Sequence, residues 1–281
     1  MLNKTIAAVA ATVALLSVAV APARAGTVKN VVIVHGAFAD GSGWQRVADI
    51  LGKDGYTVSV VQEPLTSLAD DVAATKRVLD LQQGPTILVG HSYGGVVITE
   101  AGNAPNVVGL VYIAAFIPDN GDSAFGLLSQ KPAANNDARA TKDDFLYIEP
   151  TAFPADFAAD IPPARANFMA RSQPMLAKGA GAAPVTAAAW HQKKSWALVA
   201  SLDHNINPDL ERSMARRAGS ETIEVPASHV VYVSKPNEVA RLIERRQRRL
   251  VSNPAGTRSP AACSSRKGGC HRRCRRGCLR S

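Results

Sequence analysis

Thr86-Ile87-Leu88-Val89-Gly90-His91-Ser92-Tyr93-Gly94-Gly95 joins two patterns with no spacer between them. Thr86 to Val89 is a short uncharged run of the kind that forms a strand buried on both faces. Gly90 to Gly94 fits G-x-S-x-G, and the residues after Ser92 read as a helix running to about Asn103. The pentapeptide alone is a weak signal. Its placement between a buried strand and a helix is what gives it weight, because a serine on such a turn is lifted above the sheet. Gly90 and Gly94, with Gly95 beside them, supply the positions without side chains that a tight strand-to-helix turn needs. The helix N-terminus beneath the serine favours negative charge there.

Outward from this turn, strands and helices alternate. Val31 to Val34 reads as a buried strand, Ser42 to Lys53 as a helix with Trp44, Val47, Ala48 and Leu51 on one face, and Thr57 to Val61 as a strand. Ser67 to Gln82 reads as a helix whose first turn holds Ser67 and Asp70 as cap and near-capping box. Val107 to Ala114 is the next strand. The pattern pauses over residues 118–190, which are rich in Pro, Ala, Asn and Asp with short helical pieces such as Ala164 to Arg171. It resumes with a strand over Ser195 to Ala200, a helix over Pro208 to Arg217, a strand over Thr222 to Val225 and a closing helix over Pro236 to Arg249. This order predicts an α/β fold, a mostly parallel sheet flanked by helices, with an inserted helical cap over about 118–190.

The ends differ from the body. Lys4, the apolar run from Ile6 to Ala21 and Ala23-Arg24-Ala25 have the layout of a signal peptide over residues 1–25, which implies an exported, periplasmic or secreted protein. No other stretch is long and apolar enough to span a bilayer. Residues 241–281 hold 13 of the 32 Lys and Arg and one of the 23 acids, so they carry +12 and the rest of the chain −3. The basicity belongs to the tail, and the mildly acidic domain over 26–250 gives no reason to expect a nucleic-acid surface. All four cysteines, Cys263, Cys270, Cys274 and Cys278, lie in the stretch 251–281, which reads as unstructured and matches no zinc-ligand spacing. The core therefore does not depend on disulfides.

A serine hydroxyl needs a base to act as a nucleophile. Among six histidines, His229 is the best candidate, because it follows the last strand and precedes the closing helix. Asp203, just past the strand ending at Ala200, is the candidate acid that orients it, and Asp119 is the competitor. An oxyanion forming at Ser92 needs two N–H donors. The backbone of Tyr93 is one, and the loop His35-Gly36-Ala37-Phe38 offers the other, with Ala37 first and Phe38 second. This chemistry calls for no metal and no organic cofactor.

Together these segments resemble a branch of the α/β-hydrolase superfamily that holds plant methylesterases, hydroxynitrile lyases and many bacterial esterases. Val34-His35-Gly36-Ala37 is similar to its oxyanion loop and Gly90-His91-Ser92-Tyr93-Gly94-Gly95 to its elbow. Val111-Tyr112-Ile113-Ala114-Ala115-Phe116 resembles the strand leading to its cap, and Ala200-Ser201-Leu202-Asp203 and Ser228-His229 its acid and base loops. The resemblance covers roughly residues 28–246 and implies the triad Ser92, Asp203 and His229. Its lyases place a lysine after the histidine, where this chain has Val230, and its dehalogenase relatives use an aspartate where this chain has Ser92. The expectation is a serine hydrolase acting on small to medium apolar carboxylic esters through an acyl-enzyme. The alternative is a small-ligand-binding protein without turnover. Phe125, Leu127, Leu128, Phe153, Phe157, Phe168 and Met169 are the apolar cap residues available to a pocket or to packing.

Overall fold

An uncharged run has no polar face to give to water, so the chain buries it from both sides. In the computed structural model, which describes residues 28–135 and 137–252, this happens to β1 (Asn30–Val34), while β2 (Thr57–Val61) is partly exposed as an edge strand. β3 (Thr86–Ser92) and β4 (Val107–Ala115) are again buried almost throughout. Burying one such Val, Leu or Ile side chain contributes about 1.5–3 kcal/mol. Between the strands run α1 (Gln45–Lys53), α2 (Leu68–Asp80) and α3 (Gly94–Ala101). A 3-10 turn over Gly41–Trp44 precedes α1, and Asp40 caps it by accepting the Ser42 N–H at 2.9 Å. At α2 Ser67 is the cap: the Asp70 N–H donates to Ser67 Oγ at 3.1 Å, and the Ser67 Oγ–H donates back to Asp70 Oδ2 at 2.7 Å, a side-chain pair where a full capping box would use the Ser67 backbone N–H.

The insertion after β4 contains α4 (Ala124–Gln130), β5 (Ala138–Ala140), β6 (Phe145–Ile148), α5 (Phe153–Asp156), α6 (Pro163–Ser172), β7 (Leu176–Ala177) and α7 (Lys178–Ala182). Its helices were expected. Its three-stranded antiparallel sheet, in the order β5-β6-β7, was not. Entry and exit of the insertion are laced together at a neck. The Gly121 N–H donates to Val185 O at 2.8 Å and the Val185 N–H to Asp122 O at 2.9 Å. The Ala188 N–H donates to Asn120 Oδ1 at 2.6 Å, and Trp190 Nε1–H to Pro118 O at 2.7 Å.

The chain then returns to the main sheet with β8 (Lys194–Ala200), α8 (Pro208–Arg217) and β9 (Glu221–Val225), followed by the short α9 (Val231–Ser234) and the closing α10 (Pro236–Ser252). The six main strands are ordered β2-β1-β3-β4-β8-β9, and every pair is parallel. All their C-terminal ends therefore lie on one edge. The order reverses between β1 and β3, the place where open α/β sheets leave a crevice for ligands. The signal-peptide reading, and the basic tail beyond the last turn of α10, fall outside the described residues.

Where β3 turns into α3 there is no room for side chains. A Cβ on Gly90 would sit 2.5 Å from Gly94 O, one on Gly94 2.4 Å from His35 O, and one on Gly95 2.2 Å from Phe116 O. These neighbours are backbone atoms and cannot swing aside. Gly95→Ala is accordingly expected to destabilise by about 1–3 kcal/mol, the usual penalty of overpacking. In Gly52→Ala the new methyl meets nothing within 4 Å, and the variant is expected to gain about 0.5–1 kcal/mol from helix propensity. Urea midpoints of the two variants test the contrast, and equal midpoints would contradict it.

Candidate active site

Four strand ends deliver the polar side chains of interest to one edge of the sheet. Ser92 is the last residue of β3 and has φ 52°, the left-handed region that costs a side-chain-bearing residue about 1–2 kcal/mol. Its carbonyl accepts the Phe116 N–H at 3.2 Å, which fixes the turn against the end of β4. Ser92 is nearly buried and lines a cavity of about 370 Å³. His229 lines the same cavity from the loop after β9.

His229 and Asp203 are bonded. The His229 Nδ1 to Asp203 Oδ2 distance is 2.5 Å, with both side chains buried. The other carboxylate oxygen, Oδ1, accepts the N–H groups of Asn205 (2.7 Å) and Ile206 (3.0 Å), so the loop after β8 holds Asp203 as an Asx turn. With Nδ1–H committed to Asp203, Nε2 is the nitrogen of His229 left with a lone pair. His91 donates Nε2–H to His229 O at 3.0 Å, and its Nδ1 has no partner among the described residues. Burial, with the adjacent His229 adding to it, holds His91 well below the ordinary imidazole range, so it is neutral. The competing acid, Asp119, is elsewhere. It pairs with His191 at 2.7 Å on the surface at the neck.

The loop after β1 reaches Ser92 through a close backbone approach, since a Cβ on Gly36 would lie 2.6 Å from Ser92 Cβ. His35 sets the loop's direction. Its Nε2 accepts the Glu63 N–H at 3.0 Å, so the proton is on Nδ1, which donates to Gly36 O at 2.8 Å. In a trans peptide the N–H points opposite to the C=O. The Ala37 N–H therefore points away from the His35 ring. Phe38 follows at φ 64°, a further strained position. Ala37, Phe38 and Tyr93 all line the cavity.

Two carboxyls that the sequence reading passed over lie beneath this loop. Asp71, on α2, accepts the Leu65 N–H at 2.7 Å and the Tyr93 O–H at 2.8 Å, tying the residue after Ser92 to α2. Burial raises the Asp71 carboxyl, and its two hydrogen bonds oppose the rise. Glu63 is fully buried, and neither oxygen has a hydrogen-bond partner among the described residues. Burial first, and Asp71 second, raise it well above the usual carboxylate range. Its approach to His35 Nδ1 at 3.7 Å is thus a contact of neutral groups, because burial also keeps His35 uncharged. A third buried acid, Glu211 on α8, stands behind Asp203 and accepts the Ala200 N–H at 3.3 Å. Burial and Asp203 together raise it well above its ordinary value.

Of the apolar cap residues, Phe125, Leu128 and Phe157 line the cavity. Leu127 and Phe153 are buried in packing, Met169 is partly buried against the core, and Phe168 is 62% exposed. The cavity also has a polar side at Asn135, Asp137, Asp156 and Asn205. There Asn135 donates to Asp156 Oδ1 at 2.5 Å, and burial with the neighbouring Asp137 raises Asp156. No sequence period marks these residues, which read as loop polars.

The profile of a family described as "Alpha/beta hydrolase family" matches residues 31–242. A carbendazim hydrolyzing esterase from Nocardioides sp. (strain SG-4G) is 27% identical over 245 residues, covering 75% of this chain and 96% of that protein. A pyrethroid hydrolase from Sphingobium faniae JZ-2 superposes with a TM-score of 0.67 at 19% identity, covering 81% of this chain and 99% of that one. Tomato methylketone synthase I superposes with a TM-score of 0.69 at 17% identity, covering 79% and 98%.

The raised Glu63 carboxyl has a consequence for stability. Above the ordinary glutamate value of 4.5 the unfolded chain loses this proton while the folded chain keeps it. The unfolded state then binds fewer protons, and the contribution of Glu63 to stability falls as pH rises. Glu63→Gln cannot ionise and should escape this loss. Its urea midpoint relative to the parent is expected to rise with pH above about 4.5, whereas a difference independent of pH would mean that the Glu63 carboxyl is not raised in the fold.

Proposed function

The chain belongs to the alpha/beta hydrolase family, and on that premise we propose that it is a serine hydrolase that cleaves carboxylic esters of small to medium, largely apolar substrates. The observation that carries this reading is the presence in one cavity of Ser92 and of His229 hydrogen-bonded through Nδ1 to Asp203. Ser92 Oγ attacks the ester carbonyl while His229 Nε2 takes its proton, and Asp203 stabilises the imidazolium that forms. The carbonyl oxygen becomes an oxyanion, held by the N–H groups of Ala37 and Tyr93, with Phe38 the second choice beside Ala37. One such donor contributes about 2.7–4 kcal/mol to the transition state. Collapse breaks the C–O bond, and His229 returns the proton to the departing alcohol. Water, deprotonated by His229, then frees the acid and restores Ser92. Apart from the ester and the water, the groups in these steps are side chains and backbone N–H groups of the chain.

The substrate class draws support from the cavity, which is walled by Phe116, Phe125, Leu128, Phe157 and Leu176, and from the esterase named among the relatives. Val230, fully buried beside His229, leaves no cation next to the base for a cyanide leaving group, which speaks against lyase chemistry. The signal-peptide layout of residues 1–25 supports a periplasmic or extracellular place of action for this proposed hydrolase.

Hydrolysis of short and medium p-nitrophenyl esters tests the reading. The parent is expected to turn over, and Ser92→Ala and His229→Ala to lose at least about a thousandfold in kcat, with no further loss when they are combined. Asp203→Asn is expected to fold normally and to lose activity through the wrong histidine tautomer. A folded parent without turnover on any chain length would overturn the assignment in favour of ligand binding.

A further inference from the structure

The loop that carries His229 is held from three directions. From the acid loop, the Leu202 N–H donates to Ala227 O at 3.1 Å. From the elbow, His91 Nε2–H donates to His229 O at 3.0 Å. The third hold comes from the cap. Asp160, in the turn between α5 and α6, accepts the Ser228 N–H on Oδ2 at 3.1 Å and the Ser228 Oγ–H on Oδ1. Three residues before Asp160, Phe157 sets its ring edge-on to His229, with centroids 4.8 Å apart.

The first two holds belong to the sheet edge, which its own strand ladder keeps in place. The third does not. Ser228 is buried, and a buried N–H requires a partner. The partner is a carboxylate on an exposed residue of the insertion. An exposed carboxylate contributes little to stability through charge alone. Both of its oxygens nevertheless grip the residue covalently joined to His229.

We propose that Asp160 is a positioning residue: by clamping Ser228 it fixes the backbone from which the His229 imidazole projects, so that the base is aligned only while the α5–α6 segment is seated on the site. The inference rests on the reading of His229 as general base. Without the clamp the imidazole keeps its bond to Asp203, but the loop beneath it is free to shift, and small shifts of a catalytic group are costly in rate. The cap then serves catalysis as well as shaping the pocket.

The test compares Asp160→Ala, Asp160→Asn and Ser228→Ala, singly and with Asp160→Ala combined with Ser228→Ala. It uses p-nitrophenyl butyrate and the proton NMR resonance of the His229 Nδ1–H, assigned by its loss in His229→Ala. Asp160→Ala is expected to lower kcat about tenfold with little change in KM. It should also broaden the Nδ1–H resonance. Asp160→Asn, which keeps a carbonyl acceptor, should recover part of both. The double variant should be no slower than Asp160→Ala alone, because the two side chains share one interaction. A lowered unfolding temperature with kcat and the resonance unchanged would overturn the proposal and leave Asp160 as a cap anchor. If the parent hydrolyses no ester, the hydrolase assignment fails. The resonance still decides the clamp: broadening in Asp160→Ala supports it, and a sharp line refutes it.

Discussion

Backbone touches backbone where β3 turns into α3, and much of the molecule is arranged around that contact. The turn at Gly90–Gly95 brings the ends of β1, β3 and β4 within van der Waals reach of one another. This proximity brings the loop after β1, through Ala37 and Phe38, and Tyr93 at the head of α3 to the lining of one cavity. Ser92 takes up a strained φ there, and the strain is offset by the burial of the uncharged strands on either side. A side chain added at any of these glycines would act on the site by pushing strands apart, before altering any chemistry.

Around the turn, burial removes charge from groups that would carry it in water. His35, His91, Glu63 and Glu211 are all shifted toward their neutral forms. Asp203 differs from them in its partners: two backbone N–H groups and the His229 ring nitrogen surround its carboxyl group.

The sheet was legible because its signals are strong and local. Val31 to Val34 and Thr86 to Val89 have no charged face, and α2, which lies between them, starts after Ser67, a recognisable cap. Ser92, Asp203 and His229 could be picked out as candidates for the same reason, since each lies at or within a few residues of a strand's C-terminal end. The cap sheet was hidden. Ala138–Ala140 and Leu176–Ala177 are too short to show alternation, and their pairing across β6 is a tertiary fact. Asp71 and Glu211 were hidden as well, because an acid in a helix's first turn reads as solvated. Asp160 carried no signal, because its partner is 68 residues away.

The laced neck of the insertion has a consequence for how such a chain can vary. Its two stalks, 118–122 and 185–191, lie side by side and satisfy each other's hydrogen bonds. The main sheet therefore meets the same pair of ends whatever length of chain lies between them, and the entropy of closing that loop grows only slowly with length. Loops of the intervening segment that lie away from Asp160, Phe157 and the core contacts are thus placed to change length without disturbing the register of β4 against β8. Substrate preference can drift in such a molecule while the sheet and the elbow stay fixed.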